Sequence, residues 1–335
     1  MREVKTVPLS QIILFIAVTL CCFGLTVLSE KRLIPYLRSR AEQPIYTEGP
    51  SWHIAKSGTP TMGGIGFVIA VSITLSVSAI ILNALGQYDA ALSLTVSLVF
   101  ALANAAVGLT DDLTKLRRKQ NAGLSPLQKL GLQLLFALAY LFCRRTFFGD
   151  GTALVFSFGE LELGLLYYPF ALVMLLGIIN CANLTDGIDG LASSVAFSVG
   201  ICVFFISVSG FTDACAIAGA MVGASVGFLC FNLNPAKIFM GDTGSLFFGA
   251  LAISAAFSFK NPSAMIPIGG IYVIEGISVI LQVLFYKATK KRLFKMAPLH
   301  HHLEKSGMSE TGICICAMIL TLLLGAMTCG LYFSR

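Results

Sequence analysis

Long apolar runs separated by short polar stretches extend along nearly the whole chain. Each run approaches the length of about 20 residues that a helix needs to cross the hydrocarbon core of a bilayer. The runs fall at 11–28, 62–83, 91–109, 128–142, 167–182, 191–209, 213–231, 243–258, 264–286 and 313–332. The pattern predicts an all-α integral membrane protein, a single polytopic domain over residues 1–335. About ten transmembrane helices would place both termini on one side.

One polar stretch has a different period. In ALVFSFGELELG, at residues 153–164, polar and apolar positions alternate. A period of two is typical of a half-exposed β-strand, so a small β-hairpin is expected in this loop.

The composition agrees with a membrane protein. Hydrophobic residues make up 56% of the 335 residues and charged residues only 12%, far less charge than a soluble protein of this length needs. The net charge is +6, without a dense basic tract that contains interleaved aromatic residues. Nucleic acid is therefore not an expected partner, whereas the lipid bilayer is.

The basic residues orient the chain in the membrane. Loops that follow odd-numbered runs hold 17 of the 23 Lys and Arg residues. Lys and Arg concentrate on the cytoplasmic side, so these loops are predicted to be cytoplasmic, and both termini and the hairpin external. The 17 residues are Lys31, Arg32, Arg38, Arg40, Lys56, Lys115, Arg117, Arg118, Lys119, Lys129, Lys237, Lys287, Lys290, Lys291, Arg292, Lys295 and Lys305.

Four polar clusters follow the third, fifth, seventh and ninth runs, so all four are predicted on the cytoplasmic side. Their sequences are LTDD, NCANLTDGIDG, FNLNPAKIFMGDTGS and KMAPLHHHLEKSG. Polar groups that merely end helices would not be confined to one side. Acids and bases gathered on one membrane face indicate a site for a charged substrate with a metal ion.

Asp111 and Asp112 form the first pair of candidate acids. If the helix continues through them, their side chains project about 100° apart, and Lys115 lies one turn after Asp111. The alternative is a helix end solvated by the cytoplasm. Two negative charges near a helix C-terminus oppose the helix dipole, which favours a functional reason for them.

Asn183, Asp186 and Asp189 are spaced by three residues. On a helix they share one face, whereas Gly187 and Gly190 also allow a glycine-rich turn with Asx caps. Asp242 either caps the following helix or adds another carboxylate to the same face. Mg²⁺ prefers oxygen ligands but takes only one or two protein carboxylates, so not all these acids are expected to touch it.

The remaining candidates are the three adjacent histidines, Phe239 and Glu275. Adjacent side chains such as His300, His301 and His302 rarely point at one ion, so hydrogen bonding to phosphate is favoured over zinc binding. Phe239 either stacks on a nucleobase or anchors the fold. Glu275 lies in the ninth run, where glycines and a proline predict a break, and it needs a polar partner or water.

These clusters, with GPSWHIAKSGTPTMGG before them, resemble the polyprenyl-phosphate N-acetylhexosamine-1-phosphate transferases from about residue 49 to 307. The motifs KSGTPTMGG, NLTDGIDGL, FMGDTGSL and PLHHHLE are long, and their joint occurrence is highly specific. The last motif favours the phospho-N-acetylmuramoyl-pentapeptide-transferase family over relatives that use N-acetylglucosamine.

The resemblance implies a homodimer of ten-helix subunits in the inner (plasma) membrane of a bacterium, with the active site facing the cytoplasm. It also implies the reaction. UDP-N-acetylmuramoyl-pentapeptide gives its sugar-1-phosphate to undecaprenyl phosphate, and the products are lipid I and UMP. Mg²⁺ is the implied cofactor, and the reaction is the first membrane step of peptidoglycan synthesis.

By the same resemblance, Asp242 holds Mg²⁺, and Asp111 acts as the base or orienting group with Asp112 beside it. A larger set is expected to contact substrate. Its members are Lys56, Lys115, Lys129, Asn183, Asp186, Asp189, Asn232, Phe239, Gly241, Glu275, Gln282, His300, His301 and His302.

Two alternatives stay open at this point. A related enzyme would transfer the sugar phosphate of UDP-N-acetylglucosamine to the same kind of lipid. A transporter for an anionic metabolite would also gather polar residues within a helix bundle, although it would place them near the middle of the bilayer.

Overall fold

The computed structural model describes residues 8–38, 58–118 and 122–333, with side chains as far as residue 330. Lys56, one of the predicted substrate contacts, lies outside these ranges.

Within the described ranges, ten helices have 17 residues or more. They are α1 (Leu9–Arg38), α2 (Gly64–Ala84), α3 (Tyr88–Arg118), α4 (Pro126–Phe148), α5 (Tyr167–Thr185), α6 (Leu191–Ser207), α7 (Thr212–Asn232), α8 (Gly241–Ser258), α10 (Gly270–Thr289) and α12 (Glu310–Phe333). Two short helices are α9 (Met265–Ile268) and α11 (Leu299–Glu304).

Each predicted apolar run overlaps one of the ten long helices, and eight of these helices are long and apolar enough to cross a membrane. The prediction of an all-α membrane protein is confirmed. The number of helices that span the bilayer and the side on which the termini lie stay predictions. Helix α3 continues to Arg118, so Asp111 and Asp112 lie inside the helix rather than at its end.

The predicted hairpin is present as two antiparallel strands, β1 (Ala153–Phe156) and β2 (Gly159–Glu162), with Leu154 opposite Leu161. It is fixed to the helix bundle, because the N–H of Val155 donates to the carbonyl of Lys260 at 3.3 Å. Its external location stays a prediction.

Helix α8 lies at the centre of the bundle, and every residue from Thr243 to Ser258 is buried. Glycines let neighbouring helices approach its first turn closely. A Cβ on Gly64 would lie 2.4 Å from the backbone nitrogen of Gly244, and one on Gly108 would lie 2.3 Å from the carbonyl oxygen of Asp242. Small residues at such contacts bring backbones together in membrane proteins. Helices α2 and α3 are therefore held against the start of α8.

A buried charge network connects the C-terminal end of α4 to α3, α7 and α8. Arg144 donates to Asp150 at 2.7 Å, to Ser93 on α3 at 2.9 Å and to the carbonyl of Phe257 on α8 at 2.9 Å. Ser93 in turn donates to Asp213 at the start of α7. This network was not predicted from the sequence.

The expected break in the ninth run occurs at Gly269, between α9 and α10. Glu275 follows on α10, and it is buried. Its carboxylate accepts the backbone N–H of His300 at 3.2 Å, so the expected need for a polar partner is met by the start of α11.

Candidate active site

Asp242 lies in the first turn of α8, where Gly241 has a φ of +74° that favours glycine. One carboxylate oxygen, Oδ2, accepts from the Nζ of Lys115 at 3.1 Å and from the Nζ of Lys129 at 2.8 Å. The other oxygen, Oδ1, accepts from the amide of Asn183 at 2.9 Å. Three helices, α3, α4 and α5, thus each send one polar side chain to this carboxylate.

Asp111 is buried on α3 and forms an ion pair with Lys115 at 2.6 Å, one helical turn later, as the sequence predicted. Its Oδ1 also accepts the N–H of Leu124 at 2.7 Å. The backbone of this loop passes so close that a Cβ on Gly123 would lie 2.4 Å from Asp111 Oδ1. Lys115 therefore bridges the carboxylates of Asp111 and Asp242.

Asp112 has different partners. Its Oδ1 accepts the N–H of Asp242 at 3.1 Å, and its Oδ2 accepts the N–H and the hydroxyl of Thr243 at 2.9 and 2.7 Å. The first N–H groups of a helix lack partners within the helix, and a carboxylate there is stabilised by the helix dipole. Asp112 therefore caps α8 from the neighbouring helix α3.

The three carboxylates suit a divalent cation. Asp111, Asp112 and Asp242 each offer an oxygen, and these oxygens lie within 4.8 Å of one another. Mg²⁺ binds carboxylate oxygens and usually only one or two of them. All three carboxylates also have hydrogen-bond or ion-pair partners within the protein, so their partners do not select the ligands, and the role of Asp242 as the metal ligand stays a prediction.

Asn183 and Asp186 lie where α5 ends. The helix stops at Thr185, and a turn follows. The glycine-rich turn is thus correct, and the single helical face is wrong. Asp186 is half-buried, and burial together with the nearby carboxylates of Asp242 and Asp112 raises its pKa to about 8.

Asp189 and Asn232 support loops in the structure. Asp189 Oδ2 accepts from Asn234 at 3.2 Å and from the N–H of Ala236 at 2.9 Å. Asn232 accepts the N–H of Gly190 at 3.1 Å and donates to the carbonyl of Ile238 at 2.9 Å. Both side chains hold the segment before Phe239 in place, and their contact with substrate stays a prediction.

The GTPTMGG segment pairs with the segment that precedes Asp242. The N–H of Phe239 donates to the carbonyl of Pro60 at 2.8 Å, and the N–H of Gly63 donates back to Phe239 at 2.8 Å. The Phe239 side chain is half-buried, so the structure leaves open both stacking on a base and anchoring.

The three histidines of α11 face different neighbours. His300 is fully buried, its Nδ1 lies 3.3 Å from Glu275, and its ring lies against Gly187. His301 Nδ1 lies 2.6 Å from Glu304, and His302 Nδ1 accepts the N–H of Lys295 at 3.1 Å. The rings of His300 and His301 contact each other, with their centroids 4.2 Å apart, whereas the ring of His302 lies against Phe294. The argument against a shared zinc ion stays a prediction, as does the binding of phosphate by these histidines.

Gln282, on α10, supports the loop that follows this helix, because its Oε1 accepts the N–H groups of Leu293 and Phe294 at 3.1 and 2.8 Å.

Two contributors to the site were not predicted. Thr243 binds Asp112, and Ser245 accepts the amide of Asn183 at 2.8 Å. Their only signal in the sequence is their place after Asp242 in GDTGS.

A model of the family described as Glycosyl transferase family 4 matches residues 93–260, which include Asp111, Asp186 and Asp242. The apolar helix bundle, its buried group of acids and lysines and this match define a membrane-embedded transferase.

Several relatives are similar over most of their length. The phospho-N-acetylmuramoyl-pentapeptide-transferase of Clostridium botulinum (strain Eklund 17B / Type B) is 42% identical over 286 residues, 84% of this chain and 85% of the relative. The enzymes of that name from Clostridioides difficile (strain 630) and Desulfitobacterium hafniense (strain DSM 10664 / DCB-2) are 38% and 39% identical. The two alignments cover 91% and 94% of this chain, and 94% and 96% of the respective relatives. The chain belongs to the phospho-N-acetylmuramoyl-pentapeptide-transferase family.

Proposed function

We propose that the protein transfers phospho-N-acetylmuramoyl-pentapeptide from its UDP-linked form to undecaprenyl phosphate and releases UMP. Membership in the family supports the reaction. The observation that carries the site assignment is the carboxylate of Asp242, which is bound by Lys115, Lys129 and Asn183 and lies beside Asp111.

The two lysines supply the positive charge that a diphosphate needs. The side-chain nitrogens of Lys115 and Lys129 are half-buried, and both are directed at Asp242. Preorganised cations around a transferring phosphoryl group stabilise the charge that develops there. Lys115 and Lys129 therefore bind the diphosphate of the UDP substrate, and Asn183 keeps Asp242 between them.

Asp242 would hold Mg²⁺, with the carboxylates of Asp111 and Asp112 beside it. The ion supplies charge neutralisation on the phosphate oxygens and orients them. Asp111 either accepts the proton of the lipid phosphate or orients that phosphate for attack on the sugar-linked phosphorus. A bond from the lipid phosphate oxygen to that phosphorus forms, and the bond to the UMP oxygen breaks.

The predicted topology puts this site at the cytoplasmic face of the bacterial inner membrane. There the UDP substrate arrives from the cytoplasm and the lipid phosphate from the bilayer. A homodimer is part of the proposal, on the basis of the family resemblance.

Release of UMP from the purified protein in lipid nanodiscs tests the function. With undecaprenyl phosphate and Mg²⁺ present, UDP-N-acetylmuramoyl-pentapeptide should support turnover and UDP-N-acetylglucosamine should not. Turnover with N-acetylglucosamine alone would favour the related transferase. Movement of the UDP substrate across a vesicle membrane without UMP release would instead support a transporter.

A further inference from the structure

A pair of amide side chains lies one helical turn deeper in the bundle than Lys129 and Asn183. Asn180 on α5 donates to the Oε1 of Gln133 on α4 at 2.8 Å. One turn closer to the site, Lys129 on α4 donates to the Oδ1 of Asn183 on α5 at 3.1 Å. Helices α4 and α5 are therefore joined by two successive polar bridges.

In the outer bridge, between Lys129 and Asn183, the amide of Asn183 has only one chemically possible orientation. The ammonium of Lys129 can only donate, so the atom that it contacts on Asn183 is the carbonyl oxygen. The amide nitrogen of Asn183 then faces the carboxylate of Asp242 and the hydroxyl of Ser245. Lys129 and Asn183 reach Asp242 together only when α4 and α5 keep their present separation.

The inner bridge, between Asn180 and Gln133, sets the separation of α4 and α5. Gln133 is fully buried, and Asn180 is also bound to its own helix through the carbonyl of Leu176 at 2.8 Å. The Asn180 amide is thus fixed on α5, and its bond to Gln133 fixes α4 relative to it. Gln133 lies one turn from Lys129 on α4, and Asn180 lies one turn from Asn183 on α5. The bond between Gln133 and Asn180 therefore restrains both Lys129 and Asn183.

The inner bridge leaves one polar group unsatisfied, which argues against a purely stabilising role. The Nε2 of Gln133 has no hydrogen-bond partner among the described residues, although the side chain is fully buried. Unpaired polar groups are unfavourable inside a membrane protein. A leucine at position 133 would avoid this penalty, so the amide of Gln133 contributes something other than stability.

We propose that Gln133 and Asn180 are positioning residues of the transferase site, which keep Lys129 and Asn183 on Asp242. The proposal rests on the proposed function only for its effect on turnover. The effect on the contacts of Lys129 follows from the geometry alone.

The first test compares Gln133→Leu with the wild-type full chain in nanodiscs. The kcat for UMP release should fall about fivefold to tenfold, the size expected when one hydrogen bond of positioning is lost. The KM for the UDP substrate should rise by no more than about twofold, since Lys129 is loosened but not removed and Lys115 still binds the diphosphate, and the melting temperature should not fall. Tyr140→Phe is the matched control, because this buried side chain lies on the same helix about two turns farther from Lys129 than Gln133 does. It should leave kcat unchanged.

A reciprocal exchange tests the bridge itself. Gln133→Asn shortens one side of the bridge and should lower kcat, whereas addition of Asn180→Gln restores its length and should recover most of the rate. If the double variant is no better than the single one, or if Gln133→Leu keeps a kcat within about twofold of the wild type, the positioning role is wrong.

Labelling of Lys129 gives a readout that needs no turnover. An amine reagent should modify Lys129 faster in Gln133→Leu than in the wild type, because its ammonium is less firmly held by Asp242 and Asn183. Equal labelling rates would overturn the proposal even in active protein. Faster labelling in a protein that releases no UMP would support the positioning role and refute the proposed function.

Discussion

The carboxylate of Asp112 caps the helix that carries Asp242. It accepts the N–H of Asp242 at 3.1 Å and binds the N–H and hydroxyl of Thr243. Its neighbour Asp111 instead faces Lys115. Two adjacent acids on one helix therefore have different tasks. Asp112 determines where α8 begins, and Asp111 faces the charged groups of the site.

Asp242→Asn is expected to keep the fold and abolish turnover. A neutral amide binds Mg²⁺ poorly, and it removes the anion that Lys115 and Lys129 share. UMP release at limiting Mg²⁺, together with a melting curve, measures both effects. Near-normal activity of the folded variant would contradict the role of Asp242 as a metal ligand.

Asp111→Asn is expected to lower the maximal rate strongly but to leave the affinity for the UDP substrate within a few-fold. A phosphate monoester loses its second proton at a pKa of about 6, so the lipid phosphate deprotonates by itself as pH rises. Part of the lost rate should therefore return at high pH, whereas Asp242→Asn should show no such recovery. Equal impairment of Asp111→Asn from about pH 6 to 9 would exclude a role as base.

The raised pKa of Asp186 predicts a pH-dependent stability. The unfolded carboxyl loses its proton near pH 4, whereas the folded one keeps it until about pH 8. The folded state binds the extra proton in this window, so stability is lost as pH rises through it. The wild-type melting temperature, measured without substrate or metal, should fall between pH 6 and pH 8.5 by about a few degrees more than that of Asp186→Asn. Parallel curves for the two proteins would exclude the raised pKa.

Gly108→Ala should separate α3 from α8. The new Cβ would lie 2.3 Å from the carbonyl oxygen of Asp242, so the backbones must move apart and carry Asp111 away from Asp242. Misplacement by about 1 Å can lower a rate about a hundredfold. Gly131→Ala on α4 is the control, since a Cβ there meets no atom within 4 Å. Unchanged UMP release by Gly108→Ala would show that the close helix contact is not needed.

Arg144→Met should destabilise the protein by about 3 to 5 kcal/mol, because it leaves the partners of a buried cation unpaired. The adjacent Arg145 is exposed, and its hydrogen bond within the described ranges is to the carbonyl of Asp150, so Arg145→Met should lower stability by about 1 kcal/mol at most. Thermal unfolding in one detergent compares the two. Similar melting temperatures would mean that the network around Arg144 does not hold the bundle together.

Parts of this architecture follow directly from the sequence. Apolar runs indicate the helices, because length and hydropathy suffice to identify a segment that can cross a bilayer. The ion pair of Asp111 and Lys115 follows from their spacing on one helix. The two short strands follow from the alternation between Ala153 and Glu162.

Other parts depend on contacts between helices far apart in the sequence. The sequence does not indicate that Asp112 caps α8, since this requires α3 to meet α8 at Gly108. The same applies to the bond between Asn180 and Gln133. Asp189 shares its spacing with Asn183, yet the end of α5 at Thr185 sends the two side chains to different partners.

Lys115 and Lys129 form ion pairs with Asp111 and Asp242 that a charged ligand could replace. A divalent cation that approaches Asp111 and Asp242 meets carboxylates already neutralised by Lys115 and Lys129. A diphosphate would attract the same lysines and so uncover the carboxylates, and a bound cation would release the lysines for the diphosphate. Each ligand would thus remove the competitor of the other, and reciprocity would then require that each tighten the binding of the other by the same factor. The charges of Asp111 and Asp242 are balanced by the two lysines, and the cation and the nucleotide sugar are expected to bind as a cooperative pair.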